Sequence, residues 1–156
     1  MPIKRNENLV PLSKDHHVTL LFCWKIRTGL KLKIETTRMK RYVQYFWPTH
    51  IQPHFQEEET ILFIPIQDAA VQKALIEHSN IKEQINKIIA SENLQPLQLK
   101  MLADAVDNHV RYEERELFPH LENVLTEEQL KEIGSKLQTT ANAVCNDDFS
   151  DSFWKG

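Results

Sequence analysis

The sequence predicts an all-α protein: an up-down four-helix bundle with a short C-terminal helix and tail, in a single domain over residues 1–156, its core about 10–125 and its C-terminal extension about 126–156. Three observations predict it. Apolar residues recur at steps of three and four through most of the chain, the period of a helix that buries one face. Only three glycines occur in 156 residues, too few for a sheet-rich fold with many tight turns. Two stretches, His54-Phe55-Gln56-Glu57-Glu58 and His109-Val110-Arg111-Tyr112-Glu113, each place a histidine four residues before a glutamate. On a helix that spacing stacks both side chains on one face, one turn apart.

Residues 1–12 read as an irregular lead-in ending at Pro11 and Leu12. Ser13 is the expected N-cap of the first helix, and Asp15 in its first turn suits the helix dipole. Leu20, Leu21 and Trp24 are its expected buried residues, and Gly29 its end. Residues 30–36 alternate Leu-Lys-Leu-Lys-Ile-Glu like a strand, but no second strand is available to pair with them, so they read as a loop or frayed helix end. The second helix runs from about Thr37 to about Leu62 and contains Pro48 and Pro53. Each proline removes a backbone donor and should bend or break the helix beside His50 and His54, unless a separate helix starts at Pro48.

Pro65 ends that element, and Asp68 is a good N-cap for the third helix, Ala69 to about Ala90. Its expected buried stripe is Val71, Ala74 or Leu75, His78, Ile81, Ile85 and Ile88. After the polar connection from Ser91 to Gln95, Pro96 suits the first turn of the fourth helix, which continues to Pro119. Thr126-Glu127-Glu128-Gln129 is a capping-box start for a fifth helix reaching about Thr140. The tail from Asn142 is polar except for Phe149, Phe153 and Trp154, which are expected to dock on the bundle or on another subunit, as in a homodimer or with a protein partner.

Composition narrows the function. A net charge of -3, without a cluster of Lys and Arg interleaved with aromatics, argues against nucleic acid as a partner. No phosphate-cradling glycine pattern occurs. Cys23 and Cys145 are far apart and form no CxxC, so neither a thiolate zinc site nor a disulfide framework is indicated. No apolar run approaches a signal peptide or a membrane span, and the expected location is the cytoplasm.

The two His/Glu pairs lie where apolar residues belong. The fourth-helix stripe reads Leu99, Leu102, Val106, His109, Glu113, Leu117. The second-helix stripe reads Val43, Phe46 or Trp47, His50, His54, Glu58, then Ile61 or Leu62. A buried carboxylate without a partner is penalised by several kcal/mol or neutralised. Two on facing stripes call for a cation between them. The whole chain reads as a twofold repeat of a helix with one histidine followed by a helix with HxxxE: His16 or His17 with His54 and Glu58, then His78 with His109 and Glu113. Adjacent residues point about 100° apart on a helix, so only one of His16 and His17 can face the site. Metal sites in bundles are built in this way, from inward Glu and His of all four helices.

At these residues the chain resembles the hemerythrin-like, or HHE cation-binding, family. The matching stretches are Leu12 to His17, Phe46-Trp47 through Pro53-His54-Phe55 with Glu58, Glu77-His78, and His109 with Glu113 followed by Leu117-Phe118-Pro119. The resemblance implies a left-handed four-helix bundle holding two iron ions, with Glu58 and Glu113 bridging and histidines capping. It favours His16 over His17, because the family's ligand usually follows an acidic residue. Oxygen carriers of the family have a second histidine one turn before the third-helix ligand, where this chain has Ala74. His50, one turn before His54, is a ligand, a donor behind the ligands, or a residue packed at the Pro53 bend. Imidazole and carboxylate without thiolate suits iron, manganese or zinc, and bridging glutamates with open positions point to a di-iron pair. An oxo or hydroxo bridge would offset its surplus positive charge.

Glu57, Glu59, Glu114 and Glu116 read as a solvated rim that could orient the histidines through their second ring nitrogen. Tyr112 reads as interhelical packing and His120 as superficial. The expected function is binding or sensing of a small ligand (dioxygen, nitric oxide or peroxide), or of iron or redox state. The alternatives are a di-iron oxidase or peroxidase-type enzyme, and an interaction module in which the metal is structural.

Overall fold

In the computed structural model, which describes residues 4–140 and 147–156, no strand occurs among the described residues. The elements are α1 (Val10–Lys31), α2 (Thr36–Phe46), a π turn (Trp47–Ile51), α3 (Gln52–Glu57), a second π turn (Glu58–Leu62), α4 (Ala69–Ala90), α5 (Pro96–Tyr112), a third π turn (Glu113–Leu117), α6 (Phe118–Val124), α7 (Glu127–Thr140) and a final 3-10 turn (Phe153–Lys155). Backbone angles remain helical across the π turns. Residues 36–62 and 96–124 are therefore two continuous, locally widened rods. Cys145 and the start of the tail at Asn142 lie outside the described residues.

Local chemistry explains the boundaries. Asp68 caps α4 by accepting the Val71 N–H at 3.1 Å, and the buried stripe is Val71, Ala74, His78, Ile81, Ile85 and Ile88. Gln95 and Gln98 form a reciprocal cap ahead of Pro96. Thr126 and Gln129 do the same for α7, at 2.9 and 3.1 Å. The second rod continues through its prolines by widening: Pro48 lies in the π turn, where Gln52 N–H reaches back to the Trp47 carbonyl. A wider turn accommodates a ring that cannot donate and that crowds the preceding carbonyl.

The first helix differs from expectation in three ways. It begins at Val10, with Pro11 in its first turn, so Ser13 does not cap it. It runs past Gly29 to Lys31, and Lys33 makes the turn at φ 58°. Gly29 instead permits close approach: a Cβ there would stand 2.8 Å from both Met39 Sδ and the Phe153 ring. Its buried residues are Leu12, His16, Thr19, Phe22, Cys23, Ile26 and Gly29, whereas Leu21 and Trp24 are 41% and 54% exposed and Leu20 is half-buried. Both faces of this helix carry apolar side chains, so periodicity selects the face weakly.

The interior divides into two apolar clusters. One gathers residues such as Phe22, Tyr42, Phe46, Ile85, Leu102 and Phe153. The other gathers Leu12, Leu62, Val71, Phe118, Leu121 and Leu137. Four buried histidines and two fully buried glutamates lie in the same interior as these clusters. The tail returns to its own chain: Phe153 is buried beside Tyr42, Asp151 pairs with Arg38 at 2.6 Å, and Asp147 pairs with Lys25 at 3.0 Å. Burial pushes the Cys23 thiol up to about 12, as suits a small apolar core residue. No helix among the described residues is long and apolar enough to cross a membrane.

Candidate metal centre

Four stretches deliver the polar side chains. α1 presents His16, α3 and its π turn present His54 and Glu58, α4 presents His78, and α5 and its π turn present His109 and Glu113. Each glutamate opens a π turn, and the residue five positions on, Phe63 or Phe118, donates its N–H back to the glutamate carbonyl. In an α-helix that residue would sit about 140° round from the glutamate. The extra residue of the π turn brings it back to the core face, where Phe63 tilts against His78 at 6.0 Å and Phe118 stacks on His16 at 5.4 Å. π turns concentrate where such re-aiming is needed.

The six side chains make two donor sets that share both glutamates: His16, His54, Glu58 and Glu113, and His78, His109, Glu58 and Glu113. Within each set the ligating atoms lie within 4.8 Å of one another. His16 Nε2 is 2.9 Å from Glu113 Oε1, His78 Nε2 is 3.0 Å from Glu58 Oε1, and His109 Nε2 is 3.2 Å from Glu113 Oε1. Neighbouring donors at right angles, roughly 2.1 Å from one ion, stand about 3.0 Å apart. The spacing is compatible with a coordination shell.

The hydrogen bonds point the same way. Both oxygens of Glu58, Oε2 of Glu113 and Nε2 of His78 and His109 are buried without a hydrogen-bond partner. Each such atom costs about 1–3 kcal/mol unless something satisfies it. His54 Nε2 and His16 Nε2 face each other at 3.1 Å, a contact that needs either one shared proton or a cation.

Behind the histidines stands a second tier of carboxylates. Nδ1–H of His16 donates to Glu114 at 2.8 Å, of His54 to Asp15 at 3.1 Å, of His78 to Glu59 at 2.8 Å, and of His109 to Glu77 at 2.7 Å. With Nδ1 so held, Nε2 is the atom free to ligate. Burial opposes charge on His109, but Glu113 and Glu77 outweigh it and raise its pKa to about 10. His16, His54 and His78 are raised for the same reason, against burial. Burial would raise Glu113, yet His109 and His16 hold it well below the usual carboxylate range. Protons and cations therefore compete for one set of atoms.

The structure brings together His16, His54, Glu58, His78, His109 and Glu113, and leaves His17 and His50 outside both sets. His17 is exposed. His50 stacks on Phe46 at 4.6 Å, with Nε2 3.5 Å from the Tyr45 hydroxyl. His120 is 39% exposed at its side chain and pairs with Asp68 at 2.6 Å, and the Tyr112 hydroxyl donates to the Ala70 carbonyl at 2.8 Å. Of the acidic rim, Glu59 and Glu114 hold histidines, whereas Glu57 and Glu116 hold none of the four. Asp15 and Glu77 were not expected there. Their signal is the repeated acid-histidine pair, Asp15-His16 and Glu77-His78, in which each acid serves the histidine of the following rod.

A family model described as the hemerythrin HHE cation binding domain matches residues 12–121, which include all six converging side chains. No curated protein and no solved structure compared with the chain gives a match.

Proposed function

The chain belongs to the hemerythrin HHE cation-binding family, and from that membership we propose that it is a non-haem di-iron protein that binds or senses dioxygen, nitric oxide or peroxide, or reports iron or redox state. The rods 10–31, 36–62, 69–90 and 96–124 would run up and down as a four-helix bundle around the pair. His16 and His54 would hold one iron, His78 and His109 the other, and Glu58 and Glu113 would bridge them. The carrying observation is the layer of buried, unpartnered carboxylate oxygens and imidazole nitrogens. Such atoms are tolerated where a cation replaces the missing partners. When bound, a di-iron pair supplies redox change and open positions for a small ligand; manganese or zinc would suit the same donors.

The chain's own contribution is to fix donors and exclude water. Glu114, Asp15, Glu59 and Glu77 orient the imidazoles. Phe118 and Phe55 cover the rings, Phe55 stacking on His78 at 3.8 Å. A second reading, a di-iron oxidase or peroxidase-type enzyme, is favoured by Ala74. That residue is buried one turn before His78 and offers no further donor, so the ion at His78 and His109 would keep only two histidines.

The test is to purify the protein, count metal per chain, and record its spectrum before and after reduction. Two irons with near-ultraviolet charge-transfer bands that bleach on reduction support the reading. A metal-free protein whose thermal stability is indifferent to added ferrous ion overturns it. Consumption of peroxide over many cycles would favour the enzyme, and a single reversible adduct the sensor or carrier.

A further inference from the structure

Resting on the paired-cation reading, we propose that Asp15, Glu59, Glu77 and Glu114 form a positioning ring whose charge also governs ion selection, bringing two trivalent ions as near to balance as two divalent ones.

The ring is built across helices. Asp15 on α1 holds His54 on α3, Glu59 holds His78 on α4, Glu77 on α4 holds His109 on α5, and Glu114 holds His16 on α1. Each rod therefore anchors a histidine of a neighbour and has its own anchored in return. Carboxylates bonded to Nδ1–H fix both tautomer and ring orientation, and they raise the basicity of the ligating nitrogen.

Charge supplies the selection. With Glu58 and Glu113 the ring makes six carboxylates around four imidazoles that are neutral when ligating. Among the described residues, Arg5 is the one Lys or Arg in ion-pair contact with any of the six, at 3.6 Å from Glu114. With Arg5 set against the six carboxylates the group carries five net negative charges, so two divalent ions leave one negative charge over and two trivalent ions one positive, whereas Glu58 and Glu113 alone would leave the trivalent pair four positive charges over. Glu58 and Glu113 are fully buried, and at reduced dielectric an uncompensated charge is costly. Replacing one ring carboxylate by its amide keeps an acceptor oxygen for Nδ1–H and removes the charge. The positioning and charge roles can thus be separated.

The experiment titrates the full chain with two redox-inert probes, Zn²⁺ and Ga³⁺, each in competition with a chelator. The variants are wild type, Glu59→Gln with Glu77→Gln, and Glu77→Leu. Circular dichroism checks helicity, and nitrogen NMR follows the imidazole Nδ1–H signals. The proposal expects the double amide variant to keep its Nδ1–H signals while gallium affinity falls by about 10–100-fold, the range typical of outer-partner loss, and zinc affinity falls less. Glu77→Leu should lose the His109 Nδ1–H signal and weaken both ions. An unchanged gallium-to-zinc ratio in the double amide variant overturns charge selection, and zinc binding by Glu77→Leu equal to wild type overturns positioning. If Glu77→Leu does not fold, the amide variant decides the first question, and Asp15→Asn set against Asp15→Ala decides the second on the His54 signal. Failure of the wild type to bind either probe would instead defeat the paired-cation reading.

Discussion

On the His16 side the supporting carboxylate Glu114 is the less exposed, at 29% of its side chain. The Ser13 hydroxyl donates to it at 2.8 Å, Arg5 donates to its backbone carbonyl at 2.6 Å, and the Arg5 guanidinium lies over Phe118 at 5.2 Å. On the His78 side the matching carboxylate Glu59 is 43% exposed at its side chain and borders a pocket of about 360 Å³. Trp47, Gln52, Phe55, Lys82 and His78 itself stand in the wall of that pocket. The donors repeat with twofold symmetry, but the access does not. Arg5 breaks it, because it lies in the lead-in, outside the repeat; Phe55, which stands after His54 where Val110 follows His109, covers His78 and offsets part of the difference. Equivalent ligands therefore do not imply equivalent chemistry, and a small ligand or chelator should reach the His78 half first.

The largest effect separates what the halves share from what each owns. Glu58→Ala with Glu113→Ala should lose both ions, because those residues belong to both donor sets. His16→Ala or His78→Ala should each retain one ion per chain. Elemental analysis of the purified variants reads this directly. Loss of both ions from either single histidine variant would show that the halves cannot be filled independently.

Next is pH. In the metal-free protein His109 keeps its proton up to about 10, so loading that half displaces a proton across the neutral range. Apparent metal affinity should then fall by up to about tenfold per proton displaced for each unit of acidification, which a chelator titration measures. The sign for metal-free stability is the reverse. The folded value of His109 lies above an unfolded value of about 6.5, so its contribution is complete below that value and is lost as pH rises through about 10. Melting the chelated protein across that window should reveal an alkaline decline absent from the loaded protein.

These predictions use residues of which some were legible in the sequence and some were not. α4 was legible to its ends because a capping aspartate, a regular stripe and a polar exit all agree. Five of the six converging residues were legible because polar groups interrupt three- and four-residue apolar steps, whereas His16 was chosen over His17 by the family resemblance. α1 was not, since Leu21 and Trp24 look as apolar as Phe22 and Ile26 and only the packed neighbours decide which pair is covered. The π turns left only an indirect trace, the five-residue step from Glu58 to Phe63 and from Glu113 to Phe118. Asp15 and Glu77 were missed because a residue beside a ligand points away from it on the same helix. Their target lies on another rod, which no periodicity within one helix records.

A smaller effect tests access. Chelator should strip a loaded wild-type protein in two phases, the faster from the His78 half. Phe55→Val, which copies the other half's Val110, should quicken that phase and destabilise the fold by about 2 kcal/mol. Arg5→Ala should draw the slow phase toward the fast one. Stopped-flow release with a coloured chelator distinguishes these outcomes, and a single phase in wild type would remove the difference between the halves.

The smallest effect concerns His50, which decides whether the halves differ in donors as well as in access. A third nitrogen beside His16 and His54 would make that ion richer in ligands than its neighbour, and a ligand lost there would cost metal. The ring instead stacks on Phe46 and faces Tyr45, and it stands outside both donor sets. Burial lowers its proton affinity, whereas the four buried histidines of the layer are all raised. His50→Ala should remove about 1 kcal/mol of packing, as for an aromatic contact, and leave two ions per chain. Thermal melting reads the first and elemental analysis the second. An ion lost with His50 alone would mean that the widened turn at Pro48 can swing this ring into the site, giving the His16 half three nitrogen donors against two.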